Sequence, residues 1–421
     1  MSQNSILQPA RGTRDLMNED CRKFRKIEDT GWKVAQTFGF EEIRTPIFES
    51  SSVFKRSLGD TSDIVSKEMY CFEDIGGDEL VLRPEGTASI ARAFISEGLA
   101  QSLPLKLFYC GPMFRRERPQ KGRYRQFYQM GVELLGVEKP AADIEMIVMA
   151  SQILNSLKIQ GNIELHINTL GDQQSRNQYR DRLVTYFSSR LNELSETSKA
   201  RLDKNPLRIL DSKDEGDKKL VAEAPMLRDS LTSEARAIFD EVLEGLSLMG
   251  IPYIIDQKLV RGLDYYCHSV FEFTTDGLGA QNTVLAGGRY DQLIQDLGGP
   301  RTPGIGWAAG VDRLALLMPD ETLSQRPVSL IPLGAEAEKV ALKLSLDLRK
   351  EGIYVDLGYS GNLSKRMKRA NKLNSKYAVV FGSDELNKNS VQLKNLDSGE
   401  QSEIPFDEVR THFWDSLHNP S

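Results

Sequence analysis

The sequence predicts an α+β chain: a sheet domain interrupted by a helical stretch, then a small α/β domain. Three observations carry this. Residues 108–136, FYCGPMFRRERPQKGRYRQFYQMGVELLG, read as two strands joined by a charged loop. From about 171 to 250 the chain is charge-rich and helix-forming, as in TSKARLDKN and DSKDEGDKKL. Beyond a linker at 320–327, strand and helix patterns alternate. A length of 421 residues suits about two to three domains.

Residues 20–38 predict an amphipathic helix, with Phe24, Ile27, Trp32, Val34 and Ala35 among its apolar positions and Gly39 as its stop. EIRTPIFE, at 42–49, reads as one strand containing Pro46. Proline cannot donate to a ladder, so this strand is an edge or ends at an interface. Residues 69–73 and 79–83 form a hairpin around Ile75-Gly76-Gly77-Asp78. In Arg83-Pro84-Glu85-Gly86-Thr87, Thr87 can cap a helix at 88–97. Glu85 then sits at a strand-to-helix junction suited to ligand contact, with a plain capping turn as the alternative.

A helix at 141–157 and a strand at 162–168 precede the helical stretch. Sheet patterning resumes at 253–255 and 266–274. In LVRGLDYYCHSVFEF, Arg261, Gly262, Asp264, Tyr265 and Tyr266 crowd in front of a strand. His268 has no carboxylate placed by spacing and reads as a packed or surface residue. AGGRYD, at 286–291, leads from a short strand into a helix. PGIGWAAGVDRL, at 303–314, reads as a strand running into a buried helix. Arg313 falls in its first turn, where the dipole disfavours a cation unless it meets an anion. The Gly304-x-Gly306-x-x-Ala309 spacing matches a dinucleotide fingerprint only superficially, because no βαβ unit surrounds it.

In the C-terminal region, strands at 328–332, 354–357 and 377–382 alternate with helices at 336–350 and 363–374, and a hairpin at 391–404 follows. On the second helix Leu363, Met367 and Ala370 make the expected buried stripe. Lys365, Arg366, Lys368, Arg369 and Lys372 point outward and suit a phosphate backbone, or simply water.

The strongest functional signal is in 115–136. Period-2 alternation puts Arg125, Phe127, Gln129, Gly131 and Glu133 on one strand face and Gln126, Tyr128, Met130, Val132 and Leu134 on the other. The second face is mostly apolar and packs on a core. The first reads as a pocket floor, with Gly131 leaving room for something lying on the sheet. The preceding loop carries Arg115, Arg116, Arg118, Lys121, Arg123 and Arg125 against Glu117, in a chain of net charge −6. Arginine forks grip phosphate in two-point fashion. A phosphate-rich ligand beside a small polar one is the sharper reading, and a solvated basic hairpin is the bland one.

The acidic net charge excludes wholesale nucleic-acid coating and leaves local patches. Cys21, Cys71, Cys110 and Cys267 are too scattered for a disulfide framework or a zinc site and read as reduced thiols. The opening MSQNSILQPARGTRDL lacks an apolar core of signal-peptide length. No run approaches the ~18 apolar residues of a membrane span, so a cytoplasmic location is expected.

Together these motifs resemble the histidyl-tRNA synthetases, a class II aminoacyl-tRNA synthetase family, over nearly the whole chain. FGFEEIRTPIFE resembles class II motif 1, FRRERPQKGRYRQFYQMGVELLG motif 2 and PGIGWAAGVDRL motif 3; LVRGLDYY and AGGRYD resemble the two histidine signatures. Arg116 and Tyr128 stand where relatives often carry histidine. The resemblance implies a class II catalytic domain over 1–325, an antiparallel sheet with flanking helices and a helical insertion at about 171–250. It also implies an anticodon-binding domain over 326–421 and a homodimer built on motif 1.

It further implies ATP-dependent activation of histidine and transfer to tRNA(His), with Mg²⁺ accompanying ATP and no metal held by a protein cluster. Arg115 and Arg261 would be the catalytic cations, flanking the α-phosphate. Arg123 and Arg313 would hold the β/γ end, Phe127 would stack on adenine, and Glu117 would place ATP or Mg²⁺. For histidine, Glu85, Gly86 and Thr87 would take the α-amino group and Gln129 either polar end. Arg115 and Arg261 would lie near the carboxylate, and Glu133 with Tyr265, Tyr266 and Tyr290 would read the imidazole. Arg118 and Gln120 would touch the tRNA acceptor end. The other readings are a non-catalytic, histidine-sensing paralogue acting as a regulatory subunit, and an RNA-binding protein without catalysis.

Overall fold

Pro46 divides the segment that reads as one strand. In the computed structural model, β1 (Glu41–Glu42) and β2 (Phe48–Ser50) belong to different sheets. Having no N–H, proline cannot continue either ladder. The buried Arg83 guanidinium instead takes the Thr45 and Pro46 carbonyls at 2.8 and 3.4 Å. The structure describes residues 7–59, 62–210, 212, 214–260, 263, 265–278, 282–320 and 326–418, with the backbone alone at 203 and 414–418. Two compact units divide the chain after Asp320.

In the first unit, α1 (Glu19–Thr37) precedes β1 and β2. After them come α2 (Ser51–Leu58), β3 (Tyr70–Glu73), β4 (Glu79–Leu82), α3 (Thr87–Ser96), β5 (Leu105–Phe114), β6 (Gln126–Leu135), α4 (Pro140–Ser156) and β7 (Ile163–Thr169). Helices α5 (Gln173–Ser188), α6 (Glu196–Lys204), α7 (Glu215–Ala222) and α8 (Ser233–Leu248) lie between β7 and β8 (Ile254–Ile255). Then come β9 (Cys267–Thr275), β10 (Thr283–Arg289), α9 (Leu293–Asp296), β11 (Gly304–Gly310) and α10 (Val311–Leu317).

The main sheet has the order β1-β5-β6-β11-β10-β9-β7-β8. Its central pairs are antiparallel and only its two outermost pairs, β1–β5 and β7–β8, are parallel. Strands β2-β4-β3 make a separate antiparallel sheet.

The apolar face of β6 behaves as its alternation predicts. Met130, Val132 and Leu134 are buried. Phe24 of α1 meets Tyr128 edge-on, and Trp32 packs on Phe108 at 5.5 Å. On the same side Trp307 donates its indole N–H to the Met146 carbonyl of α4 at 3.1 Å. With this face covered by helices, the opposite face is left for a ligand.

Helices α5–α7 have their own core, built from Tyr179, Leu183, Phe187, Leu202, Ile209 and Leu220. The ends of this stretch meet where Thr232 donates to Asp172 at 2.6 Å, and α8 then returns to pack on α4.

The second unit is a five-stranded sheet with helices. Strands β12 (Val328–Pro332), β13 (Val355–Leu357), β14 (Tyr377–Phe381), β15 (Ser390–Asn395) and β16 (Gln401–Pro405) have the order β13-β12-β14-β15-β16. Helices α11 (Ala335–Lys350), α12 (Leu363–Lys372), α13 (Ser383–Asn387) and α14 (Val409–His418) complete it. The stripe expected on α12 is corrected here. Arg366 and Ala370, one helical turn apart, are buried, and Leu363 is 43% exposed. Arg366 goes inside because acceptors meet it there: the Pro332 and Gly361 carbonyls at 2.5 and 2.8 Å and Glu338 at 2.6 Å. Arg369 pairs with Asp356 at 2.7 Å. Lys365, Lys368 and Lys372 remain exposed.

Candidate active site

The uncovered sheet face floors a cavity of about 750 Å³. Segments far apart in sequence converge on it. Arg115, Glu117, Arg123 and Phe127 come from the β5–β6 hairpin and Arg313 from the first turn of α10. Glu85 enters from the turn before α3, Thr87 from the first residue of α3, Gln129 from β6, and Tyr265, Tyr266 and Tyr290 from beside the ends of β9 and β10. Arg261, Gly262 and Asp264 lie outside the described residues. Arg118 and Gln120 are exposed on the loop and do not border the cavity, and neither does His268.

One end is cationic. Arg115 donates to the Pro84 carbonyl at 2.8 Å and sits 5.3 Å from the Phe127 ring centroid. Glu117 lies between two guanidiniums, 2.7 Å from Arg123 and 3.9 Å from Arg115. Arg313 donates to the Thr283 carbonyl at 2.6 Å. Burial, and then the charge of Arg123, pull the Arg313 pKa down, yet a guanidinium stays charged at neutral pH. Arg115, Arg123 and Arg313 together make this end an anion trap. The other acidic side chains on the wall include Glu68 and Glu272, neither singled out by the sequence.

The other end is a buried polar nest. Glu85 does the capping expected of Thr87. Its two oxygens accept the backbone N–H groups of Thr87 and Ala88, each at 2.7 Å. Thr87 is thereby released to donate its hydroxyl to Glu133 at 2.7 Å. Tyr290 donates to the other Glu133 oxygen. Glu133 is 1% exposed and lies just behind the lining rather than on it. Burial pushes its carboxyl up to about 8 against the pull of the two hydroxyls, and Glu85 adds to the rise. Tyr265 packs on Tyr266 at 4.6 Å and on Tyr290 at 5.7 Å, an aromatic wall beside this carboxyl. Burial holds the Tyr265 and Tyr290 hydroxyls well above their usual range, so both remain neutral donors.

The sequence reading passed over Tyr109. The space expected above Gly131 is filled by its ring, whose hydroxyl lies 2.5 Å from where a Cβ would stand. Tyr109 pairs with Gly131 across β5 and β6, and its ring also lies over Gly86. The available signal was an aromatic directly opposite a glycine in a hairpin.

The glycines of PGIG have a similar packing cause. A Cβ at Gly304 would meet the Tyr290 ring, and one at Gly306 would lie 2.6 Å from the Glu133 carboxyl carbon. These strands need glycine to let the nest close, with no dinucleotide involved. In AGGRYD, Arg289 is buried against Asp143 and Asp291 and serves the scaffold, while Tyr290 faces the site.

Comparison with known proteins points to one family. A histidyl-tRNA synthetase family model matches residues 12–314 and an anticodon binding domain model matches 327–413. A histidine–tRNA ligase of Rhodospirillum rubrum is 57% identical over 95% of this chain and 97% of its own length. One of Gluconacetobacter diazotrophicus is 51% identical over 96% and 98%. A solved apo histidyl-tRNA synthetase of Staphylococcus aureus is 35% identical, with a TM-score of 0.82 over 97% of this chain and all of that one. With residues of motif 2, motif 3 and both histidine signatures lining one cavity, and such likeness along nearly its whole length, the chain belongs to the histidyl-tRNA synthetase family.

Proposed function

We propose that this chain is a histidine–tRNA ligase. A carboxylate oxygen of L-histidine attacks the α-phosphorus of ATP. The bond to the bridging oxygen breaks, leaving histidyl-adenylate and pyrophosphate. The terminal adenosine hydroxyl of tRNA(His) then attacks the adenylate carbonyl and AMP departs. The nucleophile is already an anion, so the protein's task is positioning and charge neutralisation. The observation that carries this reading is the division of one cavity into a guanidinium end and a buried carboxyl–hydroxyl end.

Arg115 and Arg261 are assigned to the α-phosphate, and Arg261 also to the substrate carboxylate. Arg123 and Arg313 are assigned to the β/γ end and Phe127 to adenine. Mg²⁺ would arrive with the phosphates, and Glu117 is an acidic side chain at that end. Among the described residues no His, Cys, Asp and Glu cluster could hold a metal by itself. Glu85, Thr87 and Gln129 are assigned to the amino-acid backbone. Glu133, with Tyr265, Tyr266 and Tyr290, is assigned to the imidazole. Burial keeps Glu133 protonated in the free chain at neutral pH; once it gives up that proton, a carboxylate accepting two hydroxyls has lone pairs to spare, and an imidazole N–H can join them. A site built around such an acceptor rejects isosteres lacking the N–H.

Arg118 and Gln120, exposed on the loop, are assigned to the tRNA acceptor end, and the exposed lysines of α12 to the RNA backbone. A homodimer is proposed on the small sheet, where Phe48 and Phe72 are 57% and 43% exposed. No described helix is long and apolar enough to cross a membrane. Histidine-dependent exchange of labelled pyrophosphate into ATP tests the ligase reading, and its absence in the wild-type chain would favour a histidine-sensing regulatory subunit.

A further inference from the structure

The segment before α1 has little regular structure but unusual contacts. The Ala10 carbonyl accepts the N–H of Thr13 at 2.9 Å and its hydroxyl at 2.7 Å, closing a tight turn. Gly12 sits in this turn at φ +88°, where a Cβ would stand 2.8 Å from the Arg125 side chain and 3.0 Å from Pro119. Its carbonyl accepts the Arg125 N–H at 2.7 Å, and the Arg125 carbonyl in turn accepts the Arg115 N–H at 2.9 Å. Two backbone bonds therefore lead from this strap to the arginine assigned to the α-phosphate.

Arg14 makes the second connection. Its guanidinium lies over the Tyr124 ring at 4.4 Å and reaches Asp20 and Asp312, each at 3.1 Å. The other Asp312 oxygen accepts the Tyr128 N–H at 2.9 Å. Asp312 precedes Arg313 in α10, and Tyr124 follows Arg123 in the loop. One side chain thus ties together the start of α1, the β5–β6 loop, β6 and α10. The two sequence neighbours it grips each stand beside a guanidinium of the anion trap.

We propose that the 10–14 strap, with Arg14 as its positioning residue, holds Arg115, Arg123 and Arg313 in register for the phosphates of ATP. The proposal rests on the ATP-dependent reading above. Arg14 does not border the cavity itself. It acts through Tyr124 and Asp312, which do. Removing it leaves the buried Asp312 carboxylate short of a cation and the loop short of its stacking partner. Misplacement of the loop by about 1 Å is enough to cost rate, since orientation supplies much of the catalysis.

The test uses the full-length chain with Arg14→Ala, Arg14→Lys and Tyr124→Leu, and reads pyrophosphate exchange with ATP and histidine varied separately. For Arg14→Ala the expected result is an ATP KM raised about tenfold and a kcat lowered about tenfold, with the histidine KM within about twofold. Arg14→Lys, which keeps the charge and loses the planar fork, recovers part of the loss. The double variant of Arg14→Ala and Tyr124→Leu loses less than the sum of the two, because both break one contact. A wild-type ATP KM, or ATP and histidine parameters worsening together with a lowered unfolding midpoint, overturns the proposal. If Arg14→Ala fails to fold, Tyr124→Leu carries the same two outcomes. If the wild-type chain shows no exchange, the ligase reading fails. Equilibrium dialysis of labelled ATP against wild type and Arg14→Ala then decides the strap by itself: weaker ATP binding supports it and equal binding overturns it.

Discussion

Thr87 and Glu133 meet through a 2.7 Å hydrogen bond that Thr87 is free to make because Glu85 caps its helix. Glu133→Gln keeps the shape and the two hydroxyl contacts, since hydroxyls can reverse their donor sense. It removes the one group there that can ionise to accept an imidazole N–H. The expected result is a fall in kcat/KM for histidine on the order of a hundredfold or more, with little change in the ATP KM. Glu133→Ala should abolish exchange. Wild-type-like exchange in either variant removes Glu133 from the site.

The same carboxyl makes stability depend on pH. Its folded pKa of about 8 lies above its ordinary 4.5, so between these values the folded chain holds a proton that the unfolded chain releases. The stabilising contribution is complete below the ordinary value and is lost as pH rises toward about 8, at a slope of up to about 1.4 kcal/mol per pH unit. Denaturant midpoints of wild type minus Glu133→Gln should therefore decline with rising pH through that window and level off above it. A flat difference refutes this.

Arg313→Ala should raise the ATP KM by about tenfold while leaving the histidine KM nearly unchanged. Arg261→Ala should behave differently, costing kcat more than histidine affinity. Steady-state exchange with each substrate varied in turn separates the two. A pure loss of histidine affinity in Arg261→Ala contradicts its charge-neutralising role.

Arg289 and Asp143 are 2% and 1% exposed and paired with each other. Asp143→Ala leaves a buried guanidinium short of its partner and should destabilise the chain by about 3–5 kcal/mol. Urea unfolding measures the loss, and the surviving folded fraction should keep its histidine KM. A large shift in that KM with unchanged stability would place the pair in the site instead.

Much of this arrangement was legible in the residue pattern because period-2 alternation sorts a strand without knowledge of its neighbours. Phe127, Gln129 and Glu133 fell on one face and Met130, Val132 and Leu134 on the other, as observed. Strand β12 lies at 328–332, as patterned. What escaped depends on partners distant in sequence. Gly131 suggests open space until Tyr109 is known to lie across from it. Arg366 reads as a surface cation until the Pro332 carbonyl and Glu338 are placed beside it. The swap of capping roles between Glu85 and Thr87 likewise follows only once Glu133 is within reach.

The bond from Thr232 to Asp172 gives the α5–α7 lobe a doorway one residue pair wide. A polypeptide leaving and re-entering at nearly the same point can be lengthened, shortened or exchanged without re-threading the strands on either side. This lobe, with a hydrophobic centre of its own, is the part of the molecule where lineages could alter the outer wall of the cavity while the strand floor beneath stays as it is.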